Sequence, residues 1–164
     1  MIILGLDPGL AVTGFGVINC EGNKLKPISY GCIRTEANLP LPSRLERIFK
    51  DIEDIIEKYN PHQAAVEQLY FNSNARSAFA VGQARGAALL AIAKSKLDVS
   101  DYTPLQVKQA VVGYGRADKS QVQDMVKIIL SMSERPKPDD AADALAVAIC
   151  HAHSRKMNLV GSEE

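Results

Sequence analysis

Little in this 164-residue chain invites a membrane, a disulfide framework or a soft metal. Although 46% of its residues are hydrophobic, no apolar run approaches the roughly 18 residues that a membrane span needs. Cys20, Cys32 and Cys150 are odd in number, far apart and without a C-x-x-C pair. They read as reduced, part-buried thiols. No cationic, apolar leader precedes the first strand, which begins at residue 2, so the expected location is the cytoplasm. Internal repeats, low-complexity tracts and linkers are also missing. One domain spanning 1–164 is expected, large enough for a real core, with a short tail after about residue 154. Net charge is absent too, 19 bases balancing 19 acids. A zero sum argues against a polyanionic partner, but the distribution is uneven. Glu36 to Glu57 is acidic. Gln68 to Leu97 holds no acid at all while carrying Arg76, Arg85, Lys94 and Lys96. That asymmetry permits a face for nucleic acid.

What is present begins at the first residues. Ile2-Ile3-Leu4-Gly5-Leu6 reads as a strand buried on both faces, ending in Asp7 and stopped by Pro8-Gly9. Thr13 to Ile18 returns as a second strand, and Leu25 to Arg34 follows as a third, with Gly31 a expected bulge or weak spot. Ser43-x-x-Glu46 reads as a capping box opening an amphipathic helix that carries Leu45, Ile48, Phe49, Ile52, Ile55, Ile56 and Tyr59. After Asn60-Pro61 comes a short buried strand, Ala64-Ala65-Val66, ending in Glu67. A helix between them makes this strand parallel to the first. Asp7 and Glu67 then meet at the carboxyl ends of neighbouring strands, where open α/β sheets build their sites.

Arg76 to Ser95 is predicted helical and rich in alanine and glycine, which allows close helix approach inside the domain or across a dimer. Val99 to Thr103 is a further strand, and Pro104 suits the first position of a helix to Val112. Asp118 with Gln121 caps another helix. The last helix, from Asp139, is Ala-Leu-Ala-Val-rich with acids only in its first turns, Asp139 serving as its cap. Asp140 and Asp143 share one face of it. Dipole complementarity explains an acid at the helix start. It explains Asp143, deeper among alanines, less well.

Asp7, Glu67, Asp140 and Asp143 are therefore carboxylates at element ends, without His or Cys. Such oxygen-only ligands suit Mg²⁺ or Mn²⁺, and a pair of such ions can drive phosphodiester hydrolysis. Lys108 and Lys119, near helix starts, stand ready for phosphate, or are ordinary solvated lysines. Tyr70 and Phe71 lie on a polar loop and read as core anchors or as stacking groups for a splayed nucleotide.

Taken together, Leu4-Gly5-Leu6-Asp7-Pro8-Gly9, Thr13-Gly14-Phe15-Gly16, Val66-Glu67-Gln68, Gly82-Gln83-Ala84-Arg85-Gly86, Gln106 to Gly113, Lys119 to Gln123 and Asp140 to Ala146 resemble the RuvC family of Holliday junction resolvases. The likeness runs from the first strand to about His153. It implies an α/β fold of ribonuclease-H-like type, a five-stranded mixed sheet with its first three strands antiparallel, flanked by helices. It also implies a homodimeric, Mg²⁺-dependent endonuclease, with two ions per subunit and Mn²⁺ able to substitute. Such an enzyme resolves four-way DNA junctions by paired symmetric nicks in recombination and repair, beside a branch-migration helicase complex. Carried onto this sequence, the metal ligands are Asp7, Glu67, Asp140 and Asp143. Lys119 joins them in catalysis and Lys108 in contact with the junction, and Tyr70, with Phe71 beside it, has the spacing of a family aromatic at the junction centre. Arg76 and Arg116, from the basic middle of the chain, are further expected DNA contacts. Two other readings compete. One is a junction-binding scaffold without catalysis. The other is an actin- or sugar-kinase-like ATPase, whose need for a second domain and a second glycine hairpin this chain does not meet.

Overall fold

A computed structural model of the chain describes residues 1–68 and 75–160, with side chains described up to 68 and over 78–155. Five strands form one sheet: β1 (Ile2–Asp7), β2 (Val12–Glu21), β3 (Lys24–Arg34), β4 (Gln63–Glu67) and β5 (Asp98–Tyr102). Their spatial order is β3-β2-β1-β4-β5. The first three are antiparallel, and β4 and β5 run parallel to β1. Helices α1 (Leu41–Tyr59) and α2 (Ala75–Lys94) cover one face. The other carries α3 (Pro104–Val112), α4 (Lys119–Ile129) and α5 (Asp139–Val160).

Strand periodicity sorts the side chains. Leu4, Leu6, Val17, Ala64 and Val66 face Ile48, Ile52 and Ile56 of α1 and Ala84, Ala88, Ala91 and Ile92 of α2. The small residues of α2 thus bury one stripe inside the domain, and Phe79 and Leu90 are left exposed on another. Ile3, Ile18 and Ala65 face the apolar stretch of α5, with Val107, Val111, Val122 and Val126 closing that core. Because successive side chains alternate across a strand, Gly5 and Asp7 follow Ile3 onto the α5 face, as Glu67 follows Ala65. One polar string crosses this layer. Tyr102 Oη lies 2.9 Å from His151 Nδ1, and His151 Nε2 lies 3.1 Å from Gln63 Oε1. A neutral imidazole that accepts from Tyr102 and donates to Gln63 satisfies both, in keeping with a pKa lowered by burial and by the nearby Arg155 charge.

Glycine sets how closely α5 approaches. A Cβ on Gly14 would sit 1.9 Å from the Asp140 carbonyl oxygen, and one on Gly5 would sit 2.2 Å from that of Ala144. A Cβ on Gly16 would lie 2.8 Å from the backbone nitrogen of Leu145. Helix backbone therefore rests directly on strand backbone along β1 and β2.

Two local expectations are corrected. Ser43 does not cap α1: the helix begins at Leu41 after Pro40, with no side-chain cap bond, because Pro42 is well tolerated in the first turn and extends the helix past Ser43. Gly31 is not the bulge. It pairs with Phe15 and leaves room for that ring. The register shift falls opposite Val17 and Ile18, where Ser29 and Pro27 are the partners and Ile28 is the extra residue, beside a proline that cannot donate to the ladder. Thr103 adds a capping box with Gln106 at the start of α3 that sequence patterning had credited to Pro104 alone.

Gly14→Ala should lower stability by about 1–3 kcal/mol or more, since the new methyl meets backbone that cannot yield. Gly86→Ala, on α2 where an added Cβ meets nothing within 4 Å, should raise it by roughly 0.5–1 kcal/mol. Denaturant unfolding of both variants checks the contrast, and equal effects would remove the case for a backbone seam.

Candidate active site

The parallel register pairs Leu6 with Val66, so Asp7 and Glu67 emerge side by side one step later, both toward α5. Antiparallel pairing sets Asp7 opposite Gly14, the residue on which the Asp140 backbone rests. One turn along α5, Asp143 completes the group. The turn after Asp7 is held from several sides. The buried Thr13 hydroxyl donates to the Gly9 carbonyl at 2.8 Å and accepts from the Gly9 N–H at 3.3 Å. Thr35 donates through its hydroxyl to Leu10 O at 2.5 Å and through its N–H to Ala11 O at 3.0 Å. Arg44 Nε in turn donates to the Thr35 hydroxyl at 2.8 Å. Thr13 stands in the Thr13-Gly14-Phe15-Gly16 motif without an assigned role, and neither Thr35 nor Arg44 was singled out from sequence. A buried threonine in an apolar strand is the only local hint, and it fits many other roles.

Electrostatics mark the cluster. Burial pushes the Asp7 carboxyl up to about 6. A hydrogen bond from Glu67 opposes the rise, Asp143 and Asp140 add to it, and Lys119 relieves it slightly. Glu67 is pushed up to about 8 by burial and then by the Asp7 charge. The contact between the two carboxyls favours charge on Asp7 and a proton on Glu67. Burial also raises Asp143, against the pull of Lys119. Lys119 Nζ lies 3.1 Å from Asp143 Oδ2 and 3.7 Å from Asp139 Oδ2. Burial works against the Lys119 ammonium, yet Asp143, Asp139 and Asp140 outweigh it and raise its pKa. The partner of Asp143 is thus supplied by another helix. Among the described residues no three acid, His or Cys side chains are set to grip an ion in this arrangement. Asp143 is engaged instead by Lys119.

A cleft of about 200 Å³ opens beside the acids, lined by Glu67, Lys108, Lys119 and Asp143 over an apolar floor that includes Val107 and Val122. Both lysines expected from sequence therefore converge on the acids. Arg116 does not line this cleft. It is exposed on the α3–α4 connection. Arg76 falls in the first turn of α2, where the side chain is not described, and Tyr70 and Phe71 lie outside the described residues. Asp139 is not a helix cap. It is already helical, and the N–H groups of Ala141 and Ala142 both donate to Pro138 O. Its carboxylate instead takes a 2.9 Å bond from Gln123 Nε2.

Comparison with known proteins gives one consistent result. The family described as "Crossover junction endodeoxyribonuclease RuvC" matches residues 3–151. A protein of that description from Desulforamulus reducens is 63% identical over 152 residues, covering 93% of each chain. The "Thermus thermophilus RuvC structure" superposes with a TM-score of 0.90 at 36% identity, over 96% of this chain and 97% of that one. "T. thermophilus RuvC in complex with Holliday junction substrate" gives 0.92 at 35% identity, over 96% of each chain. With these structures the chain shares the ribonuclease-H-like architecture that its strand order describes.

The acid pair makes stability depend on pH. Both pKa values lie above the ordinary 3.8 and 4.5, so the folded protein holds more protons than the unfolded chain between those values and about 8. Stability in chelator should therefore fall as pH rises through that window. Asp7→Asn should flatten the fall, because Glu67 loses a charged neighbour. Thermal unfolding in EDTA across the window measures it, and an unchanged slope in the variant would mean that Asp7 neither titrates high nor raises Glu67.

Proposed function

The chain belongs to the RuvC family of crossover junction endodeoxyribonucleases, and from that membership we propose that it resolves four-way DNA junctions by paired symmetric nicks. The observation that carries the reading is the meeting of Asp7, Glu67, Asp140 and Asp143 at one sheet end, beside Lys108 and Lys119. Carboxylates buried together are costly to charge, and burial, with the Asp7 charge added to it, pushes the Glu67 carboxyl well above its ordinary range. A hard cation relieves such a cluster better than a proton does. The donor set, oxygen-only and without His or Cys, fits Mg²⁺, with Mn²⁺ as a substitute. The four acids would hold two such ions per subunit. Bound there, the ions would activate water and stabilise the leaving oxygen in hydrolysis of the phosphodiester.

The chain's own groups do the remaining work. No side chain need serve as a covalent nucleophile. Lys108 and Lys119, lining the cleft with Glu67 and Asp143, set positive charge where a phosphate would enter. Arg116, exposed at the end of the same layer, is suited to a backbone phosphate. Tyr70 or Phe71 stacking on an unpaired base, and Arg76 as a further phosphate contact, rest on sequence alone. Two symmetric nicks call for two sites, hence a homodimer. Phe79 and Leu90 form an exposed stripe on α2, and Leu90 borders an apolar groove with Leu45 and Phe49 of α1, which supports a self-association face there. Work beside a branch-migration helicase complex in the cytoplasm completes the reading. Among the described residues no helix is long and apolar enough to cross a membrane.

A labelled mobile four-way junction tests this. Wild-type protein with Mg²⁺ should give paired, symmetry-related nicks, absent in EDTA and absent from a matched linear duplex. Asp7→Asn should abolish nicking, a loss of at least about a thousandfold if the site acts through its metal, while junction binding in a gel-shift assay remains. Loss of binding together with cutting would remove Asp7 from the catalytic role.

A further inference from the structure

Lys119 is the first residue of α4, after the capping box of Asp118 and Gln121. A cation there meets the positive end of the helix dipole, so something must hold it. Two carboxylates do. Lys119 and Gln123 are four apart on α4, and Asp139 and Asp143 are four apart on α5, so each pair shares one helix face. The two faces meet as a four-residue ladder. Lys119 Nζ lies 3.1 Å from Asp143 Oδ2 and 3.7 Å from Asp139 Oδ2. Asp139 presents Oδ2 to the lysine while Oδ1 accepts from Gln123 Nε2 at 2.9 Å. The outer carboxylate is thus aimed by Gln123, and it is free of capping duty because Pro138 O takes the N–H groups of Ala141 and Ala142.

We propose that Asp139, oriented by Gln123, is a positioning residue that gives Lys119 a second seat. The inference rests on the metal-dependent nuclease reading above. Asp143 cannot serve a cation fully while Lys119 sits on it at 3.1 Å. With Asp139 beside it, the ammonium shifts outward by a small side-chain movement and stays at the mouth of the cleft, facing an incoming phosphate. Without Asp139, the ion pair left to Lys119 is with Asp143, the carboxylate the cation needs, and the two compete.

The test measures Mn²⁺ binding by calorimetry without DNA, single-turnover junction nicking at saturating metal, junction affinity in EDTA, and thermal midpoints. The proteins are wild type, Asp139→Ala, Asp139→Glu, Gln123→Ala and Lys119→Ala, with the Asp139→Ala/Lys119→Ala double variant. Asp139→Ala should weaken Mn²⁺ binding by roughly three- to tenfold, a size typical of coupled neighbours, and slow nicking by about as much. Junction affinity and thermal midpoint should hold. Gln123→Ala should show a smaller change in the same direction, and Asp139→Glu a partial recovery. In the Lys119→Ala background, Asp139→Ala should leave Mn²⁺ binding unchanged within about twofold. An equal loss of Mn²⁺ affinity in that background would overturn the proposal, since Asp139 would then act on the ion directly. So would unchanged metal binding and nicking in Asp139→Ala, or a loss that only tracks a fall in thermal midpoint. Wild-type protein that neither binds Mn²⁺ nor nicks junctions would instead bring down the nuclease reading itself.

Discussion

Carboxylates crowded out of water repel one another, and holding them together is the constraint on which this architecture turns. Asp7 and Glu67 come from adjacent parallel strands, so their spacing follows from hydrogen bonding within the sheet. Asp140 and Asp143 arrive from a helix, where side-chain packing would leave slack. Glycine removes the slack: Gly5, Gly14 and Gly16 let the α5 backbone lie on the strands without intervening side chains. The turn beyond Asp7 is fixed by Thr13, Thr35 and Arg44. Repulsion that would otherwise open the cluster is therefore opposed by backbone contact, the least compliant kind.

Net charge is a poor guide to such a protein because the sum says nothing of where the charges stand or which are already paired. Arg85 pairs with Asp101 at 2.6 Å and Lys94 with Glu53 at 2.9 Å, so two cations of the acid-free stretch are already answered. Arg135 pairs with Asp124, and α1 pairs Arg47 with Asp51 and Lys50 with Glu46. What distinguishes the cleft is its local composition, two lysines above buried acids. A balanced sum outside leaves that contrast intact.

The strands, the antiparallel run of the first three and the placement of β4 beside β1 were legible in sequence because each leaves a short-range mark. β1 is an apolar run broken by Asp-Pro-Gly, and α1 repeats its isoleucines at helical spacing. The parallel placement of β4 followed from a single intervening helix. Local rules failed where a neighbour outvoted them. Pro42 carried α1 past a sound capping motif at Ser43, and Pro27 drew the bulge away from Gly31. Contacts between distant elements had no local signature at all. The partner of Asp143 is Lys119 on a different helix, and Asp139 read as a cap because nothing in sequence points from it to Gln123. Thr35 was invisible for the same reason, its bonds reaching back to Leu10 and Ala11.

The resting of α5 on the glycines of β1 and β2 also has a meaning in time. The ribosome makes the chain from its N-terminus, and α5 is the last of the described elements to emerge. Until then the sheet holds Asp7 and Glu67 but neither of the helix acids, and Lys119 has no carboxylate across from it. The four acids can stand together only once α5 has been made and has docked on the sheet. The same backbone contact that fixes the spacing of the acids makes docking of α5 the step that assembles the candidate site.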